Sequence, residues 1–453
     1  MSRKLYRLTS EKLEIPWFFD DGQIYMSDAS SIPMLRYPDG SWCHYSNNYM
    51  YSLFKRGLSR KNGGGTLKAY AANISHLLRY CYSNNIDLPQ MTDARFSMFI
   101  RALSDFNTTF SSSETRSKNS VINIGRNCLG LLSHVGKMRF DDNFVSANGA
   151  IKGEQKLVNI RNKDKGITFS KSYWFHRSFP SPSPLKKRFP ISEGNMKKLT
   201  IAAAETEDVF IRKRRFAMLR LLESTGCRRS ELVGLKVKSV YSALAEHPHL
   251  LRMPTSKAGG NRSSARLVPV SKTDLKLLEN YITYNRAPLV KKLGIEDHGT
   301  LFISSTTGKA LLANTVTQEI STLSKYSGIT ERTSPHMFRH RFITQYFIML
   351  IKQHDLKNID DCRRLMINTG ALKQQIQQIT GHKLLSSLDV YIDLAFAELT
   401  NHVEVLDSAT KDMKLSSLQR TLQMMKIELS ASKREKGLVE LLEVIADELN
   451  DLL

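Results

Sequence analysis

The chain has 453 residues, enough for two or three domains with their own cores. Lys and Arg total 66 against 43 acidic residues, a net charge of +23, which favours a polyanionic partner, and nucleic acid over a membrane surface. No stretch approaches the roughly 18–20 consecutive apolar residues that cross a bilayer, and the start Met-Ser-Arg-Lys leads into no signal-peptide core. The five cysteines, Cys43, Cys81, Cys128, Cys227 and Cys362, are scattered and form no metal-like Cys-x-x-Cys pair, so free thiols in a reducing cytoplasm are expected.

Residues 1–60 carry Trp17, Phe18, Phe19, Trp42, Tyr45, Tyr49 and Tyr51 around turn chemistry at Tyr37-Pro38-Asp39-Gly40-Ser41. The aromatics suit base stacking, but a small satellite core packed on the next domain is the simpler reading. Gly63, Gly64 and Gly65 break the chain, and Thr66 is placed to cap a helix with Tyr70, Ile74, Leu77, Leu78 and Cys81 at helical spacing. Asn84-Asn85 ends it. A second helix starts at Thr92-Asp93 with Phe96, Phe99, Ile100 and Leu103 inward, and a third carries Ile122, Ile124, Cys128, Leu131, Leu132 and Val135. These apolar stripes are core. Contacts to a polyanion would come from the polar faces, with Lys68, Arg79, Arg116, Lys118 and Arg126 as candidates. From 156 to 188, nine Lys or Arg face one acid, Asp164, and Pro180-Ser181-Pro182-Ser183-Pro184 favours extended backbone. This reads as a basic linker over 156–189, with Lys163, Lys165, Lys186, Lys187 and Arg188 as phosphate contacts.

A second domain is expected from Pro190, with Ser192 capping its first helix. Arg212, Lys213, Arg214 and Arg215 read as an exposed helix face. The segment Glu-Ser-Thr-Gly-Cys-Arg-Arg-Ser-Glu-Leu-Val-Gly-Leu (223–235) follows. Gly226 allows a tight turn beneath Arg228, and Glu231, three residues on, can hold its guanidinium. Arg229 is the rival, one position away. Residues 250–270 read as a β-hairpin turning at Ala258-Gly259-Gly260-Asn261; Lys257 sits just before that turn, and Arg262 and Arg266 are further phosphate candidates. Leu301-Phe302-Ile303 suggests a strand, 307–309 a turn, and 315–326 a helix ended by Gly328. In Ser-Pro-His-Met-Phe-Arg-His (334–340), Pro335 suits a first helical turn and places His336 and Arg339 on one face, a clamp for an anion. Thr-Gly-His-Lys-Leu-Leu-Ser-Ser-Leu-Asp-Val-Tyr (380–391) closes the domain. His336 and His340, four apart, have metal-pair spacing, but no third ligand is apparent and no metal is expected.

These motifs, in this order, resemble the tyrosine recombinase (phage integrase) family. The family's marks are Thr-Gly-x-Arg-x-x-Glu-Leu, here 225–232; His-x-x-Arg, here 336–339; Gly-His, here 381–382; and a tyrosine nine residues after that His, here Tyr391. The likeness covers roughly residues 190–400 and, more weakly, 63–135. It implies a mainly α fold with a small antiparallel β-sheet. A helical core-binding domain (61–155) and an α+β catalytic domain (190–402) would form a C-shaped clamp on DNA. Residues 1–60 would be an accessory or arm region. The implied catalytic set is Arg228, Lys257, His336, Arg339, His382 and the nucleophile Tyr391, with no cofactor. The separation of 43 residues from Arg339 to His382 exceeds the usual spacing, and the excess falls in 352–372.

The residue types suit the chemistry the resemblance implies. Arg228 and Arg339 neutralise a phosphodiester's non-bridging oxygens and stabilise the pentavalent transition state. Tyr391 attacks phosphorus; its ordinary pKa near 10 calls for a proton acceptor, His336. His382 donates to a phosphate oxygen, and Lys257 protonates the leaving 5′-oxygen. The product is a 3′-phosphotyrosine and a free 5′-hydroxyl, without metal or ATP. Expected partners are double-stranded DNA at specific sites, other protomers in a synaptic tetramer and accessory proteins, on a bacterial nucleoid rather than a membrane. Beyond residue 402, a stripe of Leu415, Leu418, Leu422, Met425 and Leu429 and a second after Gly437 form a helical tail (403–453) that docks on a neighbouring protomer or its own domain. Type IB topoisomerase activity and a non-catalytic DNA-binding role are the alternatives to recombination.

Overall fold

The computed structural model describes residues 4–105, 116–162, 167–184, 189–255, 265–368, 370–381, 388–400, 420 and 422. The described residues are mainly α-helical with small, mostly antiparallel sheets. The chain divides into two compact units, Met1–Lys186 and Lys187–Leu453.

In the first unit, β1 (Tyr6–Leu8) pairs antiparallel with β4 (Pro33–Leu35), and β2 (Glu14–Asp20) with β3 (Gln23–Asp28). Four helices follow: α1 (His44–Lys55), α2 (Lys61–Ser83), α3 (Asp93–Asp105) and α4 (Lys118–Met138). The predicted stripes are the core: Ile74, Leu77 and Leu78 of α2, Phe96 and Phe99 of α3, and Cys128, Leu131 and Leu132 of α4 are buried together. Leu35, Met50 and Leu53 belong to the same cluster, so the chain has no break between cores near residue 60. Helical hydrogen bonding starts at Lys61, ahead of the expected Thr66 cap. Gly63, Gly64 and Gly65 all have positive φ, and a Cβ on Gly65 would stand 2.3 Å from the Ser59 carbonyl oxygen, which only glycine avoids.

The basic stretch expected to be a linker is largely a β-ribbon. Strands β6 (Ile151–Asn162) and β7 (Ile167–His176) pair antiparallel from Gly153–His176 to Asn162–Ile167, and β5 (Val145–Ser146) adds a short parallel edge. Its base is anchored in the unit. His176 is buried and pairs with Asp93, Arg126 of α4 lies over the Tyr173 ring and donates to the Trp174 carbonyl, and Phe179 packs into the core. Arg126 thus has a structural task on this ribbon.

The second unit opens with α5 (Glu193–Ala204) and α6 (Val209–Thr225), capped by Ser192 and Asp208. Then come α7 (Arg229–Gly234), α8 (Val237–Ala245), the predicted hairpin of β8 (Leu250–Pro254) and β9 (Ala265–Pro269), and α9 (Lys272–Tyr281). A π-helical turn at Ile282–Arg286 leads into α10 (Ala287–Leu293), followed by α11 (Ala313–Tyr326) and α12 (Pro335–Gln353). Leu301-Phe302-Ile303 is buried but makes only an isolated bridge, Ile303 to Ala310, rather than a strand. The Arg212 to Arg215 cluster is not an exposed face: Arg214 is buried against Glu319 and the Ile303 carbonyl, and Arg215 binds the other Glu319 oxygen. The excess between Arg339 and His382 forms α13 (Ile359–Asn368), before α14 (Gly370–Thr380) and α15 (Asp389–Thr400). Cys362 and Met366 of α13 join Phe347, Ile351, Ile376, Tyr391 and Ile392 in a separate core cluster. In the tail, Arg420 pairs with Glu193 and Glu223 of the same chain.

Candidate active site

The first site arginine is placed by a helix stop and a helix start. Helix α6 ends at Gly226, whose φ of +53° is left-handed; a Cβ there would lie 2.5 Å from the Phe342 ring. Arg228 then caps α7. Its backbone N–H donates to Glu231 Oε2 at 3.1 Å, and its Nη1 donates to Oε1 at 2.6 Å. Glu231 has no solvent exposure. Burial would raise its carboxyl pKa, but the Arg266 and Arg228 guanidiniums outweigh that and hold it below the usual carboxylate range. Arg229 instead donates to Asn314 and Thr317 on α11, so only Arg228 of the two faces Glu231.

Helix α12 supplies the next group. Pro335 occupies its first turn, as the sequence implied. Arg339 is buried; its Nη1 donates to the Gly226 carbonyl at 3.0 Å and its Nη2 to the Thr380 carbonyl. Arg228 Nη2 donates to the next carbonyl, Gly381, at 3.3 Å. The two guanidiniums, 111 positions apart in sequence, therefore meet at the residues leading into His382. Burial, with Arg228 and Arg266 nearby, lowers the Arg339 pKa to about 10 against the opposing pull of Glu231 and Tyr391. One carboxylate serves three guanidiniums among the described residues, so the site carries excess positive charge and favours an anion.

The same helix holds two imidazoles beside the candidate nucleophile. The His336 and His340 rings meet edge to face at 4.6 Å, and the His340 ring lies 5.1 Å from that of Tyr391 on α15. Tyr391 is 5% exposed, its ring packed in the cluster of α12, α13 and α15. The structure thus brings together Arg228, Arg339, His336 and Tyr391, four of the six predicted catalytic residues. Lys257 and His382 lie outside the described residues, as do Lys163, Lys165, Lys186, Lys187, Arg188 and Arg262.

Arg266 has a larger place than its reading as a phosphate candidate suggested. From β9 it donates through Nε and Nη2 to Glu231 Oε2, through Nη2 to the Thr225 carbonyl at 3.1 Å, and through Nη1 to the Ile379 carbonyl. It ties the 225–232 motif to the segment leading into Thr380-Gly381. The available signal was strand alternation, which puts Arg266 on one face of β9 with Val268. Gly381 closes the group: its φ is +64°, and a Cβ would sit 3.1 Å from Arg266 Cδ and 3.4 Å from Arg228 Nη1.

Residues 191–362 match the model of the phage integrase family. The chain is 28% identical over 222 residues to the tyrosine recombinase XerD of Proteus mirabilis, covering 48% of this chain and 60% of the relative. It is 25% identical over 267 residues to XerC of Thermodesulfovibrio yellowstonii, covering 57% and 77%. It spans about three fifths of the length of the first of these relatives. Among solved structures it is similar to the XerH site-specific recombinase bound to a palindromic difH substrate in a post-cleavage complex, with a TM-score of 0.47, 17% identity, and 80% and 85% of the two chains covered.

Proposed function

We propose, for a chain that carries a phage integrase domain over residues 191–362 and so belongs to the tyrosine recombinase family, that it is a site-specific DNA recombinase of a mobile element. It cuts and rejoins duplex DNA through a 3′-phosphotyrosine. The carrying observation is the convergence of Arg228 and Arg339 on the adjacent Thr380 and Gly381 carbonyls, with the Tyr391 ring against His340. A scissile phosphate at this point meets two planar donors able to hold both non-bridging oxygens, and the charge that grows in the transition state meets fixed positive charge. Tyr391 attacks phosphorus, His336 accepts the phenolic proton, and Lys257 protonates the departing 5′-oxygen. His382 donates to the phosphate. A free 5′-hydroxyl of another strand reverses the step, so no high-energy cofactor is consumed.

Duplex DNA at specific sites and further copies of the chain in a synaptic assembly are the partners this function needs. The test is a nicked suicide substrate built on candidate element ends. Wild-type protein should become covalently attached to the 3′ end it generates, and Tyr391→Phe should still bind the duplex without attaching to it. An adduct that survives Tyr391→Phe would remove Tyr391 as nucleophile. Relaxation of supercoils without any strand exchange between two sites would favour the topoisomerase alternative.

A further inference from the structure

Beyond the base that packs on α4, the described side chains on both faces of the β6–β7 ribbon stand in solvent. Leu157 is 71% exposed, and Val158, Asn159, Thr168, Ser170, Lys171 and Ser172 are exposed with it. Six paired rungs, Leu157–Ser172 to Asn162–Ile167, continue past Lys156–Tyr173. At about 3.4 Å per residue they extend roughly 20 Å. A two-stranded hairpin without a covered face is marginal in water, so this one is built for a partner. Its strands carry Lys152, Lys156, Arg161 and Lys171 against one acid, Glu154. The pairing puts Lys156 and Lys171 on one face, and Leu157, Asn159, Ser170 and Ser172 on the other.

We propose that the β6–β7 ribbon inserts into the major groove of duplex DNA, with its lysines on the flanking phosphates and its short polar side chains on base edges. The inference rests on the reading of the chain as a DNA enzyme and adds a second, non-catalytic contact. Charge complementarity selects the partner. Shape selects the groove: a two-stranded ribbon fits a major groove about 12 Å wide and not a minor groove of about 6 Å. Asn, Ser and Thr pair with base edges there, and Leu157, on the same face as Asn159 and Ser170, offers apolar contact to a thymine methyl group.

The test uses the full chain and a labelled generic duplex of about 40 base pairs. One variant replaces residues 157–172 by Asn-Gly, joining the paired Lys156 and Tyr173 in a two-residue turn that leaves the ribbon base intact. The other, Lys152→Gln/Lys156→Gln/Lys171→Gln, keeps the ribbon. Each cation taken off a phosphate should reduce the slope of log K against log salt by about 0.9, so a fall of about 2–4 is expected for the shortened chain and about 2–3 for the triple variant. Methyl green, a major-groove ligand, should compete with wild type and lose its effect on the shortened chain. Unchanged slopes in both variants, or competition by the minor-groove ligand netropsin alone, would overturn the ribbon proposal. Covalent attachment through Tyr391 would then still stand. A wild-type chain with no affinity for duplex DNA would sink both.

Discussion

Glu231 is the residue on which the site's charge balance turns. It is fully buried between Arg228 and Arg266 and pairs with both. Glu231→Ala leaves buried guanidiniums uncompensated and should cost about 3–5 kcal/mol of stability, read as a fall in urea midpoint. The pH dependence has a definite sign. Its folded pKa lies below its unfolded value, so its contribution is present above the unfolded value and is lost as pH falls through the folded one. The stability difference between wild type and Glu231→Gln should therefore shrink on acidification below about pH 4. Arg266 acts through others: it touches Glu231 and two backbone carbonyls, Thr225 and Ile379. Arg266→Gln should lower the cleavage rate of a bound suicide substrate by about 100-fold while changing duplex affinity little, and Arg266→Lys should restore part of it. Arg228→Lys gives up the planar, bidentate fork and should lose a comparable factor in rate.

At the level of elements, the helices were legible and the ribbon was not. Ile74, Leu77, Phe96 and Leu131 recur with the period of a helix because one face of each helix is buried, and burial is what writes a period into a sequence. Leu157, Val158 and Asn159 of β6 and Ser170, Lys171 and Ser172 of β7 are all exposed, so Leu157-Val158-Asn159 shows no alternation, and the charge run dominates the reading. The cluster from Arg212 to Arg215 misled for a different reason: the partner of Arg214, Glu319, lies 105 residues away. In the site, Arg228, Arg339 and Tyr391 could be read from spacing, whereas the three-way tie made by Arg266 depends on carbonyls that only the folded chain brings together. Helix α13 fills the long interval before Gly381 and packs Met366 on the cluster that holds Tyr391. Met366→Ala should cost about 2–5 kcal/mol and loosen α15, visible as faster proteolysis within 388–400.

For the whole molecule, the two compact units meet in sequence at Lys186 and Lys187, beside Arg188. Brief trypsin treatment should cut there first and release fragments close to the two unit lengths; early cleavage inside α4 or α6 instead would argue against that division. In the proposed function, the net charge of +23 serves the binding of the whole chain to a polyanion, and the cluster around Glu231 serves the chemistry. The central claim is that a single phenol takes the DNA strand. After trapping on a suicide duplex and digestion with nuclease and protease, mass spectrometry should find the nucleotide remnant on the peptide containing Tyr391. A remnant on any other residue, or no remnant in a reaction that nonetheless exchanges strands, would contradict it.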